Sequence, residues 1–398
     1  MIVKDPYGVV LIIAPWNYPV NLVLLPLIPA LAAGNTVIIK PSELAPHTAA
    51  VITDIVQTYF DPQNVAVVCG GATETTNLLK ERFDYIFYTG GPSVAKIIMT
   101  AAAKNLTPVT FELGGKCPVV IEDDADIEKS VKRIAWGKWL NCGQTCLAPD
   151  YILVKEALKP LLLDTFCRVI EEFYGKNAQE SPDYSRIINE RHFDRLKELV
   201  EATNGRIVYK GGEFDRSDLF VPPIVADVDE SDILMKDELF GPILPVVTVN
   251  DLDDAIRFIN SREKPLAAYL FTKSNSNVER FYTETSSGGV CINDVILHLA
   301  VDTLPFGGVG NSGLGQYRGK FGFDTFSHQK AMLQRGFFSE KLTAARYPPL
   351  TKEKFDHLKA LTSKRRGLPR WLKKYCPALP IFLLTLILCL FLRWECGF

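Results

Sequence analysis

The chain has 398 residues, of which 47% are hydrophobic and 23% charged, and its formal net charge is −2. This length predicts two domains with buried cores, and this composition excludes a wholly disordered chain and a many-span membrane protein. The charge is uneven, because residues 351–374 carry +7 and the remainder of the chain carries −9.

The first part of the chain alternates apolar strands with helical stretches, which is typical of βαβ units and a parallel sheet. The pattern predicts strands at 8–14, 36–39, 65–68, 85–88 and 109–113, and helices at 22–33, 47–59, 74–80 and 93–104. Residues 1–112 are therefore predicted to form a Rossmann-like dinucleotide-binding domain. Parallel sheets of this kind bind ligands at the carboxyl ends of their strands, and here those ends are rich in glycine and polar residues.

A glycine-containing loop joins the fourth predicted strand to its helix. It reads Thr89-Gly90-Gly91-Pro92-Ser93, and Ser93 is predicted to cap the helix. The N–H groups of such a helix N-terminus attract a pyrophosphate, although an ordinary strand-to-helix turn is an equal alternative. The single GxGxxG pattern, at 308–313, follows no strong strand, which favours a glycine-rich turn over a phosphate loop.

Residues 113–311 again mix strands and helices, and they predict a second α/β domain, with 312–350 as a C-terminal segment that serves oligomerisation. Predicted strands are 119–121, 151–154, 243–249 and 268–271; predicted helices are 126–139, 158–173, 189–202 and 252–260.

Two residues of this region carry candidate chemistry. Cys146 ends the loop 141–146, where Gly143 permits a tight backbone that presents a thiol together with its own N–H. A lone cysteine is more often a buried apolar group than a nucleophile, so the context carries the interpretation. Glu112 ends an apolar strand, where desolvation would raise its pKa as a general base requires. A salt bridge at the strand end is an equal alternative.

The nine cysteines are scattered and form no zinc-type pair, which favours free thiols in a reducing compartment. The five histidines show no metal-ligand spacing, so no metal is expected. The body has no arginine-rich, aromatic-interleaved surface, and no nucleic-acid partner is expected.

The C-terminus predicts a membrane anchor, residues 375–398. The 18 residues 375–392 carry no charge, and as a helix they would span about 27 Å. Trp371 and Trp394 flank them as interfacial aromatic residues do. The basic segment 351–374, called the neck below, predicts a cytosolic body by the positive-inside rule. A helix lying in the membrane interface is an alternative to a span.

Six motifs, taken in order, resemble the aldehyde dehydrogenase superfamily. They are Pro15-Trp-Asn-Tyr-Pro19, Ile39-Lys-Pro-Ser-Glu43, Glu112-Leu-Gly-Gly-Lys116, Gly143-Gln-Thr-Cys146, Glu238-Leu-Phe-Gly-Pro242 and Pro305-Phe-Gly-Gly308. Stretches at 148–152, 286–290 and 346–349 resemble its class 3 branch. The resemblance covers roughly residues 5–350, and family members carry a further N-terminal region before the first strand.

The resemblance implies an aldehyde oxidation that passes through a thiohemiacetal and a thioester. Cys146 is then the nucleophile, and the Asn17 amide and the Cys146 N–H hold the oxyanion. Glu112 then activates the water that hydrolyses the thioester.

The resemblance also implies NAD as cofactor, with NADP left open. A carboxylate at Glu43 binds the free 2′-hydroxyl of the adenosine ribose and repels a 2′-phosphate. The expected cofactor contacts are Lys40 and Glu43 at the adenosine ribose, Gly90, Gly91, Ser93 and Ala95 in the phosphate loop, Glu238 at the nicotinamide ribose and Phe240 beside the ring.

Together with the predicted anchor, the resemblance implies medium- to long-chain fatty aldehydes as substrates, a homodimer, and a location on the endoplasmic reticulum membrane. The short region before the first strand motivates an alternative: a catalytically impaired membrane-bound paralogue or fragment that acts by association. A cofactor-independent esterase is a third hypothesis, which leaves the Lys40, Glu43 and Glu238 motifs unexplained.

Overall fold

A computed structural model of the chain describes residues 1–337 and 340–363. The predicted anchor and the last part of the neck, residues 364–374, lie outside the described residues. Residues 1–332 form one compact unit, and the chain from Leu333 onwards belongs to a second. The predicted domain limits at residues 112, 311 and 350 stay predictions.

The described helices and strands follow the predicted order closely. The strands are β1 (Ile2–Pro6), β2 (Val9–Ile13), β3 (Thr36–Lys40), β4 (Val65–Val67), β5 (Tyr85–Thr89), β6 (Val109–Glu112), β7 (Pro118–Ile121), β8 (Tyr151–Lys155), β9 (Arg206–Lys210), β10 (Ile224–Asp227), β11 (Ile243–Val249), β12 (Ala267–Phe271), β13 (Gly289–Ile292), β14 (Gly313–Leu314) and β15 (Ser327–Ala331). The α-helices are α1 (Asn21–Ala32), α2 (Pro46–Tyr59), α3 (Ala72–Leu78), α4 (Pro92–Ala103), α5 (Ile127–Trp139), α6 (Lys159–Tyr174), α7 (Glu190–Ala202), α8 (Leu252–Asn260), α9 (Asn275–Glu284), α10 (Gly319–Thr325), α11 (Glu340–Thr343) and α12 (Lys352–Thr362).

The first sheet has the order β14–β6–β5–β2–β3–β4 and is parallel except for β14. Strand β2 is apolar at every position because helices cover both of its faces. Val10 and Ile12 pack in one core cluster with α1 and α2, and Leu11 and Ile13 pack in another with α4. The predicted Rossmann-like parallel sheet is confirmed.

The second sheet has the order β13–β12–β7–β8–β11–β10–β9, and only β9 runs antiparallel to its neighbour. Its helix α5 begins at an Asp126 side chain that accepts a hydrogen bond from the Lys129 N–H, and α5 packs on α6. The predicted mixture of strands and helices in this region is confirmed, whereas its division as a separate domain stays a prediction.

Segments attached to both sheets line one common cavity. The loops after β2, β5 and β6, at the carboxyl edge of the first sheet, line one cavity together with Cys146 before β8 and residues 237–240 before β11. Strands β2, β3 and β4 extend the first sheet in one direction, and β5 and β6 then extend it in the other direction from β2, so the strand order switches beside β2. Ligands bind at such a point in open parallel sheets, so this arrangement positions the candidate site.

The predicted cap at Ser93 is wrong. Helix α4 begins at Pro92, its N-cap is Gly91, and Ser93 is an exposed residue of its first turn. Proline is favoured at the first position of a helix because its fixed φ suits the helix and its missing N–H needs no partner there.

Residues 308–313 form a turn and a short strand, in agreement with the prediction for that glycine pattern. Gly313 in β14 pairs with Glu112 in β6, and the antiparallel pairing adds an edge strand to the first sheet. A Cβ on Gly313 would lie 2.5 Å from the Phe111 carbonyl oxygen, so only glycine permits this pairing.

An antiparallel ribbon of β1 and β15 joins the two ends of the first unit. In the second unit, the neck is helical over α12, which Thr351 caps through its side chain. Among the residues that the structure describes, no helix is both long enough and apolar enough to cross a bilayer.

Candidate active site

A cavity of about 490 Å³ lies between segments attached to the two sheets. Its walls contain predicted catalytic residues from three different elements and predicted cofactor residues from two others. The predicted residues that line it are Asn17, Gly90, Gly91, Glu112, Cys146, Glu238 and Phe240. Groups separated by up to 223 positions in the sequence thus converge on one space.

The loop that carries Cys146 is sharply folded. Asn141, Cys142 and Gly143 adopt consecutive positive φ angles of 51°, 55° and 72°. A Cβ on Gly143 would lie 2.2 Å from the Gly241 carbonyl oxygen, so the loop can take this path only with glycine there. Cys142 is fully buried, whereas Cys146 is partly exposed to the cavity.

Hydrogen bonds fix the same loop to the first sheet. The Asn17 Nδ2 donates to the Gln144 carbonyl at 3.0 Å, and the Asn141 Nδ2 donates to the Asn17 carbonyl at 2.9 Å. The Tyr18 and Thr145 hydroxyls lie 2.6 Å apart. Asn17 is therefore held against the loop that carries Cys146, and within the described residues the second N–H of its amide has no acceptor and can donate to a ligand in the cavity.

The environment of Cys146 keeps its thiol protonated. Burial first, and then the charges of Glu238 and Glu112, raise the pKa of Cys146 to about 12. A nucleophilic thiolate therefore requires removal of the proton by a neighbouring base during attack.

Glu112 is a carboxyl without a partner. It is 2% exposed, and within the described part of the chain neither of its oxygens has a hydrogen-bond partner. Burial raises the pKa of Glu112 well above its ordinary value. The alternative of a salt-bridge partner at the strand end is thereby contradicted, and the carboxyl has the environment of a general base.

Glu238 and Phe240 line the same cavity as the glycine loop. Burial, with the charge of Asp150 second, raises the pKa of Glu238 to about 8. The Glu238 carboxylate oxygens lie 2.5 Å from where a Cβ on Gly114 would stand. The Phe240 ring packs edge-on against Trp16, with centroids 5.5 Å apart.

A second pocket, of about 370 Å³, continues along the carboxyl edge of the first sheet past β3 and β4. Glu43 lines it, and its carboxylate lies 2.7 Å from the Lys40 Nζ. Partial burial alone would raise the pKa of Glu43, but the hydrogen bond from Lys40 lowers it, so the group is an anion. An anionic acceptor at this place suits a ribose hydroxyl.

The loop between β5 and α4 fits the phosphates of a dinucleotide. Gly91, the N-cap, offers backbone without a side chain, and a Cβ on Gly90 would meet the Tyr88 hydroxyl at 2.1 Å. Two predicted residues of this loop do not line the cavity: Ser93 is exposed on α4, and Ala95 faces the core between α4 and the sheet.

Sequence reasoning missed the basic residues of the cavity. His192 and Arg195 on α7 line it, with the His192 ring 5.5 Å from that of Trp16 and the Arg195 Nη2 donating to the Leu239 carbonyl at 2.7 Å. The two residues are three positions apart and therefore lie on one face of α7, and this spacing is the sequence feature that could have indicated them. No motif accompanies them, so the sequence does not show what that face meets.

Comparisons with known proteins agree with the geometry. The model described as "Aldehyde dehydrogenase family" matches residues 1–332. Aldehyde dehydrogenase family 3 member A2 of Mus musculus is 51% identical over 362 residues, which are 91% of this chain and 74% of that protein. The dimeric NADP-preferring aldehyde dehydrogenase of Rattus norvegicus is 50% identical over 347 residues, 87% of this chain and 76% of that one.

Among solved structures, the substrate-bound state of Staphylococcus aureus AldH is similar to this chain with a TM-score of 0.84 and 46% sequence identity. The match covers 90% of this chain and 78% of the other. Fold and sequence thus lead to the same group of proteins.

Proposed function

The chain belongs to the aldehyde dehydrogenase family, within its class 3 branch, and is an oxidoreductase that acts on aldehydes; on this premise we propose that it oxidises medium- to long-chain fatty aldehydes with NAD. The observation that carries the proposal is the convergence of Cys146, Glu112 and Asn17 on one cavity. Its cofactor is a nicotinamide dinucleotide, and the choice of NAD over NADP is part of the proposal.

The proposed reaction begins at Cys146. Its sulfur adds to the aldehyde carbonyl carbon and gives a thiohemiacetal, while the thiol proton leaves to one of the carboxylates that face it, Glu112 or Glu238. The oxyanion that forms is held by the free N–H of the Asn17 amide and by the Cys146 backbone N–H. Donors fixed in advance, as Asn17 is by the loop 141–146, stabilise such charge without reorganisation.

Hydride acceptance is the chemistry that the bound dinucleotide supplies, and it leaves a thioester on Cys146. Any proton that Glu112 took from Cys146 first passes to solvent. Ionised Glu112 then takes a proton from a water molecule, whose oxygen attacks the thioester carbon and releases the carboxylic acid and the Cys146 thiolate, which regains that proton as a thiol. The raised pKa of Glu112 makes it a stronger base than an ordinary carboxylate.

Residues of the first sheet are proposed to hold the dinucleotide. Gly90 and Gly91 meet the phosphates at the N-terminus of α4, and the Glu43 carboxylate, held by Lys40, binds the adenosine ribose. Glu238 and Phe240 meet the nicotinamide end. The anionic Glu43 favours NAD, because a 2′-phosphate would be repelled there.

We also propose that residues 375–398 anchor the protein in the endoplasmic reticulum membrane with the body on the cytosolic side, and that it is a homodimer. Fatty aldehydes partition into lipid, with about 0.8 kcal/mol for each buried methylene, so an anchored enzyme meets its substrate there. Sedimentation equilibrium of the detergent-solubilised chain tests the dimer, and fractionation of cells that express it tests the membrane.

The central test is NADH formation from decanal by the purified full-length chain. We expect kcat/KM to be at least about ten-fold higher with NAD than with NADP, and Cys146→Ala to abolish turnover because the nucleophile is lost. Cys142→Ala is the matched control, since that thiol is buried away from the cavity, and it should retain turnover within a few-fold. An inactive wild-type chain would favour the impaired paralogue instead, and an active Cys146→Ala variant would contradict the mechanism.

A further inference from the structure

A lysine without a hydrogen-bond partner lies in the interior beside the site. Lys138, near the end of α5, is 0% exposed, and among the described residues its Nζ has no hydrogen-bond partner. The nearest acid is Asp150, whose Oδ1 is 3.7 Å from that Nζ. A buried ammonium is costly unless it is compensated, so the position calls for an explanation beyond packing.

Asp150 connects this lysine to a segment of the cavity wall. Its Oδ2 accepts a hydrogen bond from the Lys116 Nζ at 2.7 Å, and both of its oxygens lie 3.3 Å from the Leu239 backbone N–H, which donates to them. Asp150 is itself 3% exposed. The carboxylate thus joins the buried Lys138 and the partly buried Lys116 to the backbone at Leu239.

Lys116 also binds the same wall segment, at two backbone carbonyls. Its Nζ donates to the Leu234 carbonyl at 2.7 Å and to the Asp237 carbonyl at 3.1 Å. From the cavity side, Arg195 donates to the Leu239 carbonyl at 2.7 Å. The segment 234–240 is therefore held at several backbone atoms by charged side chains, and charge-assisted hydrogen bonds are stronger than neutral ones.

Glu238 lies between two of the residues that are held in this way, Asp237 and Leu239. Its carboxylate has little freedom, because it lies against Gly114. Lys138 and Lys116 together supply two ammonium groups near two carboxyls, those of Asp150 and Glu238. Without Lys138, one ammonium would remain near both acids, and the contact of Asp150 with Leu239 would weaken.

We propose that Lys138 is a positioning residue, whose ammonium holds Asp150 and, through Asp150 and Lys116, fixes the segment 234–240 so that Glu238 is presented to the ribose of the dinucleotide. The identity of that ligand rests on the proposed function; the fixing of the segment does not.

The test compares Lys138→Met with Lys129→Met in the full-length protein. Methionine keeps an unbranched side chain, shorter by one atom, and removes the charge, and Lys129 is an exposed lysine on the same helix. In Lys138→Met without cofactor, we expect amide hydrogen exchange in 234–240 to be roughly ten-fold faster or more. We expect NAD affinity, measured by calorimetry, to fall by a similar factor, and Lys129→Met to match the wild type in both.

Hydrolysis of 4-nitrophenyl acetate separates positioning from general damage, since attack of Cys146 on an activated ester needs no dinucleotide. It should stay within about three-fold of the wild type in Lys138→Met. Lys138→Arg, which keeps the charge, should recover most of the protection. If Lys138→Met does not fold, Asp150→Asn carries the same expectations through the same segment.

Unchanged exchange in 234–240, or ester hydrolysis that falls together with NAD affinity, would overturn the inference. A wild-type chain that binds NAD and oxidises no aldehyde would contradict the proposed function alone. A wild-type chain that binds no NAD would also contradict that function, while the exchange measurement would still decide the role of Lys138.

Discussion

Glu112 shows how a single residue can be assigned a chemistry by its surroundings. It ends β6 inside the protein, beside the cavity, with no partner for either oxygen among the described residues. The sequence predicted the desolvation, because the preceding strand is apolar. It did not distinguish a base from a salt-bridge partner, since that depends on which cations from distant segments come near.

The raised pKa of Glu112 makes the free energy of unfolding depend on pH. Between its ordinary value of 4.5 and its folded value, the native state holds a proton that the unfolded chain has released. The stabilising contribution of the neutral carboxyl is therefore complete below pH 4.5 and is lost as the pH rises through the folded pKa. The slope within that window is about 1.4 kcal/mol per pH unit.

We predict that Glu112→Gln lowers catalytic activity and raises thermal stability. Its kcat should fall by roughly 10²- to 10⁴-fold, because no base activates the water, and thioester should accumulate on Cys146. Its Tm should exceed that of the wild type by an amount that grows as the pH rises above 4.5, because glutamine never ionises. Steady-state kinetics, intact-protein mass spectrometry and calorimetric scans measure the three effects.

Glu198→Gln, an exposed carboxyl on α7, is the control for the loss of one negative charge and should change none of them. A Tm difference between Glu112→Gln and the wild type that does not vary with pH would show that Glu112 is not the buried titrating group.

At the scale of elements, the loop 141–146 depends on one glycine for its path. Gly143 combines a φ of +72° with contact against the Gly241 backbone, whereas Gly175, which ends α6, has a φ of +75° and no atom within 4 Å of a Cβ. The two positions separate the cost of the backbone conformation from the cost of the contact.

We predict that Gly175→Ala lowers the free energy of unfolding by about 1–3 kcal/mol, the cost of holding alanine at a φ of 75° and a ψ of −179°. Gly143→Ala should lower it by about 2 kcal/mol more than Gly175→Ala does, because a collision with the Gly241 backbone adds to the backbone cost. It should also reduce aldehyde turnover by moving Cys146, while Gly175→Ala should not. Urea unfolding and kinetics measure both, and equal losses of stability would contradict the role of the contact.

Helices and strands were predicted correctly where residues within the element determine it. They were mispredicted or missed where other residues determine them. The apolar runs of β2 and β11 and the capped helix α8 were found within a residue of their observed bounds. Ser93 was given the cap because serine favours that position, but Pro92 determines the start of α4. The ribbon of β1 and β15 joins segments more than 320 residues apart, and its polar strands carry no pattern that announces a partner.

The candidate site itself was predictable only through the resemblance. Composition and periodicity located glycine-rich loops and one buried acid, and the six motifs related them to a nucleophile. His192, Arg195 and the orphan Lys138 were missed, because their meaning depends on what the second sheet brings against the first.

For the whole molecule, the proposed anchor and the helix α12 make separable contributions. We predict that deleting residues 351–398 releases the protein from membranes and lowers kcat/KM for hexadecanal far more than for propanal. Phe355 and Leu358, three positions apart on α12, form an apolar side that we propose guides the long chain from the lipid, whereas propanal needs no such guidance. Deleting only 364–398 keeps α12, and should release the protein while preserving the preference for hexadecanal in detergent. Membrane flotation and steady-state kinetics are the measurements.

Equal losses on both aldehydes after the longer deletion would contradict a guiding role for α12. A protein that stays with membranes after either deletion would contradict the proposed anchor.

The ribbon of β1 and β15 pairs a strand at the start of the first unit with a strand at its end. The Met1 amino group donates to the Met332 carbonyl at 2.8 Å, and the two strands run antiparallel away from that bond. A force applied between these two residues would therefore break the pairing of β1 with β15 one residue pair at a time, before either large sheet carried any load. The unit joins its ends by the contact that yields first to mechanical pulling, whatever its resistance to heat.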